Sequence, residues 1–221
     1  MATPEPTARR PKVTVTGPRV VFLDDEFGPF FLDGLCAARG IPIPQAVVVG
    51  QTNRMDAYED YLKGDAFVAR QVTSIGFLTD SEFPGVSVAA EDSAFLSLCG
   101  FFRRMGWPVP KDVDEFVETS LGCKAGIHII PGRKQPGCLE TLCLRAVAGD
   151  PALKCVDEFV SCLDRQGIPL VGGQREKARM QAFVASRSQP QTSLKTHYLD
   201  KQTWNYGSPE YDRLERFLRM L

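Results

Sequence analysis

The sequence predicts an α/β protein: a parallel sheet of about four strands flanked by helices, with a helical C-terminal portion. Two observations lead there. Strand-length apolar runs alternate with segments of helical periodicity up to about residue 130, which is the pattern of βαβ units, and such crossovers make sheets parallel. Beyond residue 136 the strand-like runs stop and only helical periodicity remains.

Taken in order, residues 1–12 mix proline, threonine and charge without periodicity and read as a disordered lead; one domain is expected over 13–221. A first strand is expected at 20–23, ending in Asp24-Asp25-Glu26, with a helix at 30–39 stopped by Gly40. A second apolar run at 46–49 closes on Gly50 and precedes a short helix at 55–62. The third strand, 72–78, ends at Thr79-Asp80-Ser81-Glu82, and a helix at 94–105 stops before Gly106 and Pro108. A fourth strand is expected at 127–130. Helices then follow at 139–147, 152–163, 176–185 and 209–221, while 109–126 and 186–206 carry little pattern.

Composition narrows the function. Lys and Arg number 26 against 27 Asp and Glu, a net charge of −1, so no global field draws the chain to nucleic acid or to an anionic membrane. No apolar stretch approaches the ~20 residues of a membrane span, and the first dozen residues lack the apolar core of a signal peptide. A cytoplasmic protein without membrane attachment is expected. The seven cysteines are odd in number and form no close CxxC pair, which speaks against a disulfide framework or a zinc module. Cys36, Cys143 and Cys155 lie among apolar residues at helical spacing and read as small hydrophobes. Gly172-Gly173 lacks the context of a phosphate loop and reads as a turn, so no nucleotide cofactor is expected.

In open parallel sheets, sites form beyond the carboxyl ends of the strands, and here those positions are acidic. Asp24, Asp25 and Glu26 follow the first strand; Asp80 and Glu82 follow the third, at a spacing that points both side chains the same way from extended backbone. Converging carboxylates repel one another unless a cation neutralises them, and Mg²⁺ or Mn²⁺ suits such hard oxygen ligands. The chemistry implied is phosphodiester hydrolysis. Against this stands the reading in which each acid caps a helix or lies solvated in a loop.

The layout resembles the Toprim fold shared by topoisomerases, bacterial primases, recombination mediators and the overcoming-lysogenisation-defect nucleases. The residues that carry the resemblance are VVFLDDEFGPFFLDGL and SIGFLTDSEF, which match a Glu after the first strand and an Asp-x-Asp after the third. More closely, the chain resembles a bacterial and archaeal Toprim-like family related to those nucleases. HIIPGRKQPGCLETLCL, CVDEFVSCL, EKARMQAFVAS and WNYGSPEYDRLERFLRML follow in the same order as in that family. The resemblance implies Asp24 as general base and metal ligand, and Asp80 and Glu82 as metal ligands. It also implies Glu140 as a further ligand and Lys177 as a cation stabilising transition-state charge. The departures are specific: Asp24 replaces the motif Glu, Phe27-Gly28 replaces an acidic pair, and Glu82 replaces the second Asp. Asp25 and Glu26 are available to compensate.

Two functions are therefore expected in competition. One is a Mg²⁺- or Mn²⁺-dependent nuclease acting on DNA or RNA in defence or repair; the other is a degenerate Toprim-like subunit that binds a protein partner or senses nucleic acid. Arg103-Arg104, Arg133-Lys134 and Arg175, Lys177 and Arg179 are the local basic groups that could hold phosphates. His128 and His197 have no nucleophile motif beside them and are expected to be structural, His128 buried and hydrogen-bonded. Trp107 is expected to anchor a loop, and the phenylalanines at 30, 31, 95, 101 and 102 to pack helices on the sheet.

Overall fold

The computed structural model describes residues 13–50, 53–81, 83, 92–187, 193–200 and 203–221. Five strands form one sheet: β1 (Arg19–Leu23), β2 (Gln45–Val48), β3 (Ser74–Asp80), β4 (Phe116–Glu118) and β5 (Lys124–Ile130), in the order β2-β1-β3-β5-β4. β2, β1, β3 and β5 are parallel, as the alternating pattern predicts, and β4 closes one edge antiparallel to β5. The expected lead, 1–12, lies outside the described residues.

Helices flank the sheet. α1 (Gly28–Arg39), α2 (Arg54–Leu62), α3 (Asp65–Val68) and α4 (Ser93–Arg104) belong to the crossovers. α5 (Leu139–Ala146), α6 (Pro151–Arg165), α7 (Gly173–Ala185), α8 (Leu194–Leu199) and α9 (Asp212–Met220) make up the helical C-terminal portion. Proline at the first turn and Gly40 at φ 62° bound α1, the asymmetry expected of a helix start and stop. The last segment, expected as one helix from 209, is a 3-10 turn at Pro209–Tyr211 followed by α9, because Ser208 caps the turn first. Among the described residues, no helix is long and apolar enough to cross a membrane.

Strand alternation splits the interior into two cores. Val20, Phe22, Ile75, Phe77 and Ile127 face α2 and α4, where Tyr58, Leu98, Phe101, Phe102 and Trp107 meet them. Val21, Leu23, Leu78 and Ile130 face α1 and the C-terminal helices. Gly76 of β3 lies under α9: a Cβ there would sit 3.0 Å from the Phe217 ring, so the central strand admits the last helix only without a side chain. Ser74 Oγ donates to the Leu221 carbonyl at 2.5 Å, and Arg39 at the end of α1 reaches the carbonyls of Tyr206 and Ser208 and the carboxylates of Asp212 and Glu215.

The expected anchors are in place. Trp107 is buried and its indole N–H donates to Ser120 Oγ at 3.2 Å; Phe31, Phe95, Phe101 and Phe102 are buried, and Phe30 is partly buried against the core. Gly172, at φ 51°, is the turn that opens α7. Cys36 and Cys143 are buried, but Cys155 is exposed. α6 turns Leu153, Val156 and Val160 inward, which leaves position 155 on the solvent side of the same helix.

His128 is buried in β5, its Nδ1 2.6 Å from Asp114 Oδ1, while Asp114 Oδ2 accepts from Arg213 Nε of α9 at 2.6 Å. Burial acts to raise the Asp114 carboxyl, but the hydrogen bonds and charges of His128 and Arg213 outweigh it and hold the carboxyl below its ordinary value. A depressed folded value contributes stability above the unfolded carboxyl value of about 3.9, and that contribution is lost as pH falls through the folded value. Urea denaturation followed from pH 7 down to pH 3 should therefore show a loss of stability below about pH 4. Asp114→Asn should flatten this part of the profile while costing roughly 1–3 kcal/mol at pH 7. An acid profile unchanged in the variant would remove Asp114 from the account.

Candidate functional site at the strand tips

β1 and β3 are neighbours, with Leu23 beside Leu78, so the residues that follow emerge together at the carboxyl edge of the sheet. Asp24, Asp25 and Asp80 border one cavity of about 30 Å³ there, whose other walls include Phe31, Leu78 and Leu139. Its volume accommodates on the order of two water molecules. Asp80 is the last residue of β3 itself, since both ends of the strand lie two residues beyond those of the apolar run.

The carboxylates of Asp24 and Asp80 bond in opposite directions. Asp24 shares the face of Phe22 and turns toward α2, where Oδ2 accepts from Arg54 Nη1 at 2.6 Å and from Thr79 Oγ1 at 2.5 Å, and Oδ1 accepts from Tyr58 OH at 3.0 Å. Arg54 Nη1 also donates to Thr79 Oγ1 at 2.8 Å. Burial, then the charge of Asp24, pushes the Tyr58 hydroxyl well above its ordinary value, so Tyr58 remains a donor. Asp80 shares the face of Leu78, and its Oδ1 accepts from the Leu139 N–H at the first turn of α5 at 3.0 Å, a favourable position for a carboxylate. Asp25 closes a local turn by accepting from Phe27 N at 2.5 Å.

Glu140 is buried in the first turn of α5. Beside it is the buried Cys138, whose thiol is pushed up first by burial and then by the charges of Glu140 and Asp80. Glu140 and Asp80 thus act on a common spot. Lys177 is exposed on α7 and does not border the strand-tip cavity. Glu82 lies outside the described residues. Among the described residues, no group of three or more His, Cys, Asp or Glu is arranged to hold a metal ion.

Arg54, Tyr58 and Thr79 are the members of this site that the sequence reading did not single out. The available clue was a cation at the very start of the helix after β2, one strand away from the Asp24 tip. The local basic groups are largely spoken for. Arg133 binds Asp92 at 2.6 Å and Asp112 at 2.8 Å, Arg175 binds Asp164 at 3.0 Å, Arg179 binds Asp157 at 2.9 Å, and Arg104 binds Asp56 at 3.2 Å. His197, like His128, is buried, with its Nδ1 3.4 Å from Thr203 Oγ1.

No curated protein and no solved structure matches the chain. One family does, that described as Protein of unknown function (DUF3226), over residues 29–221. The match begins past Asp24 and Asp25 and takes in Asp80, Glu82, Glu140 and Lys177. It spans the sheet from β2 onward together with the whole helical C-terminal portion, and by that extent the chain belongs to the DUF3226 family.

Proposed function

We propose that this chain is a Toprim-like domain in which Arg54 takes the place of the divalent cation, and that it acts as a noncatalytic subunit contacting a protein partner. The observation that carries the reading is the capture of Asp24 by three donors, one of them the guanidinium at 2.6 Å. A carboxylate so engaged has little capacity left for a metal, and a fixed cation at ligand distance repels a second one. Asp24 therefore does not fit the ligand set implied by the resemblance. A protein rather than a nucleic acid is favoured because the arginines that could track phosphates are paired with carboxylates. Phe159, Ile168 and Val171, 49%, 55% and 62% exposed, also leave apolar surface around the α6–α7 turn.

A second reading has its own support: Asp25 and Asp80 border one cavity at the carboxyl edge, where they could join Glu82 in a Mg²⁺- or Mn²⁺-dependent nuclease. The test is calorimetric titration with Mn²⁺, combined with cleavage assays on single-stranded and duplex DNA and RNA in Mg²⁺ and in Mn²⁺. Neither binding heat nor cleavage is expected. Metal binding together with cleavage that Asp80→Ala abolishes would reject the noncatalytic reading and establish the nuclease.

A further inference from the structure

A cavity of about 490 Å³ opens between α5, α6 and α7 and shares no lining residue with the cavity at the strand tips. Its volume falls within the roughly 300–1,000 Å³ of small-molecule sites. One wall is braced. Glu176 is buried and accepts from Arg179 Nη1 at 3.1 Å, while Arg179 Nε donates to Asp157 of α6 at 2.9 Å, so one guanidinium holds two carboxylates from two helices. Asp150 is also committed, accepting from the Ala152 N–H at 2.8 Å and from Arg187 at 2.9 Å.

Among the described residues, two of the cations here have no carboxylate partner. Arg145 donates to the neutral amide oxygen of Gln135 at 3.0 Å, and Lys154 makes no hydrogen bond or ion pair among the described residues. Both border the cavity. Lys154 stands in the first turns of α6, where the helix dipole adds positive potential. With Asp150 balanced by Arg187, the walls hold Arg145, Lys154 and Arg179 against Asp157 and Glu176, an excess of one positive charge. A concave polar site with uncompensated cations attracts an oxyanion, and a phosphate group carries enough charge to engage two of them.

We infer that this cavity binds a small phosphorylated molecule, with the phosphate between Arg145 and Lys154 and the remainder against Thr141 and the Glu176–Arg179 wall. The inference does not depend on how the strand tips function. Calorimetry on the full chain in low-salt, phosphate-free buffer tests it, with inorganic phosphate, pyrophosphate and glycerol 3-phosphate as probes and acetate as control. At least one phosphate probe should bind saturably while acetate does not. Tighter binding of glycerol 3-phosphate than of inorganic phosphate would identify a phosphomonoester as the ligand class, and the reverse would identify free phosphate. The double variant Arg145→Gln with Lys154→Gln should weaken binding about tenfold or more with an unchanged melting temperature. Lys111→Gln, an exposed cation ahead of β4 and outside the cavity, should leave binding unchanged. Absence of saturable binding by every phosphate probe, or binding retained in the double variant, overturns the proposal.

Discussion

Replacing Gly34 with alanine is expected to destabilise the protein by about 3 kcal/mol or more, a large share of the total stability of an ordinary domain. Gly34 sits in the middle of α1, where α8 and the segment after it come closest. A Cβ there would collide with the Tyr198 carbonyl oxygen and stand 2.7 Å from the Tyr206 hydroxyl. These two groups are hydrogen-bonded to one another, and the carbonyl is backbone, so neither rotates away without breaking the other's contact. Alanine favours the helix over glycine by about 1 kcal/mol, too little to offset the collision. Gly100 of α4 supplies the comparison, because a Cβ there meets nothing within 4 Å. Gly100→Ala should be neutral or stabilising by up to about 1 kcal/mol. Urea denaturation of both variants gives the answer; equal stabilities would show that α1 and α8 do not pack as described.

Arg54→Met is expected to cost about 3 kcal/mol, because it strands an ionised carboxylate in a largely closed site. The Asp24 side chain is only 10% exposed, and without the guanidinium it retains just the hydroxyls of Thr79 and Tyr58. If the charge pair is the reason, pairing this change with Asp24→Asn should recover part of the loss, with a coupling of roughly 1–3 kcal/mol in a double-mutant cycle. Strictly additive losses would mean that Arg54 matters through packing of its aliphatic stem alone.

The parallel order of the sheet was legible because its evidence is long-range and redundant: four apolar runs, each followed by a helix. The edge strand Phe116–Glu118 was not, since three residues carry no measurable period and its pairing depends on the free edge of β5. The apolar run places β3 at 72–78 because Val72 and Thr73 have strand-like side chains, but Thr73 N bonds to Pro18 O and the ladder starts only at Ser74. That shift matters at the site. The acids at 24 and 80 were recognisable as strand-tip residues, but which face of the sheet each takes depends on how α2 and α5 pack. Asp24 and Arg54 are thirty residues apart and belong to different strand tips, so no local pattern joins them.

The seating of α9 over Gly76 has a kinetic corollary. The bond from Ser74 to Leu221 joins residues 147 apart, so one side of the central strand stays uncovered until that long stretch of chain is available to close the loop. Chains with many such distant pairings fold slowly, and apolar side chains of the half-built sheet face water meanwhile. During synthesis, Leu78 and Ile130 emerge well before α9, so part of their side of the sheet is bare in the nascent chain until that helix is made.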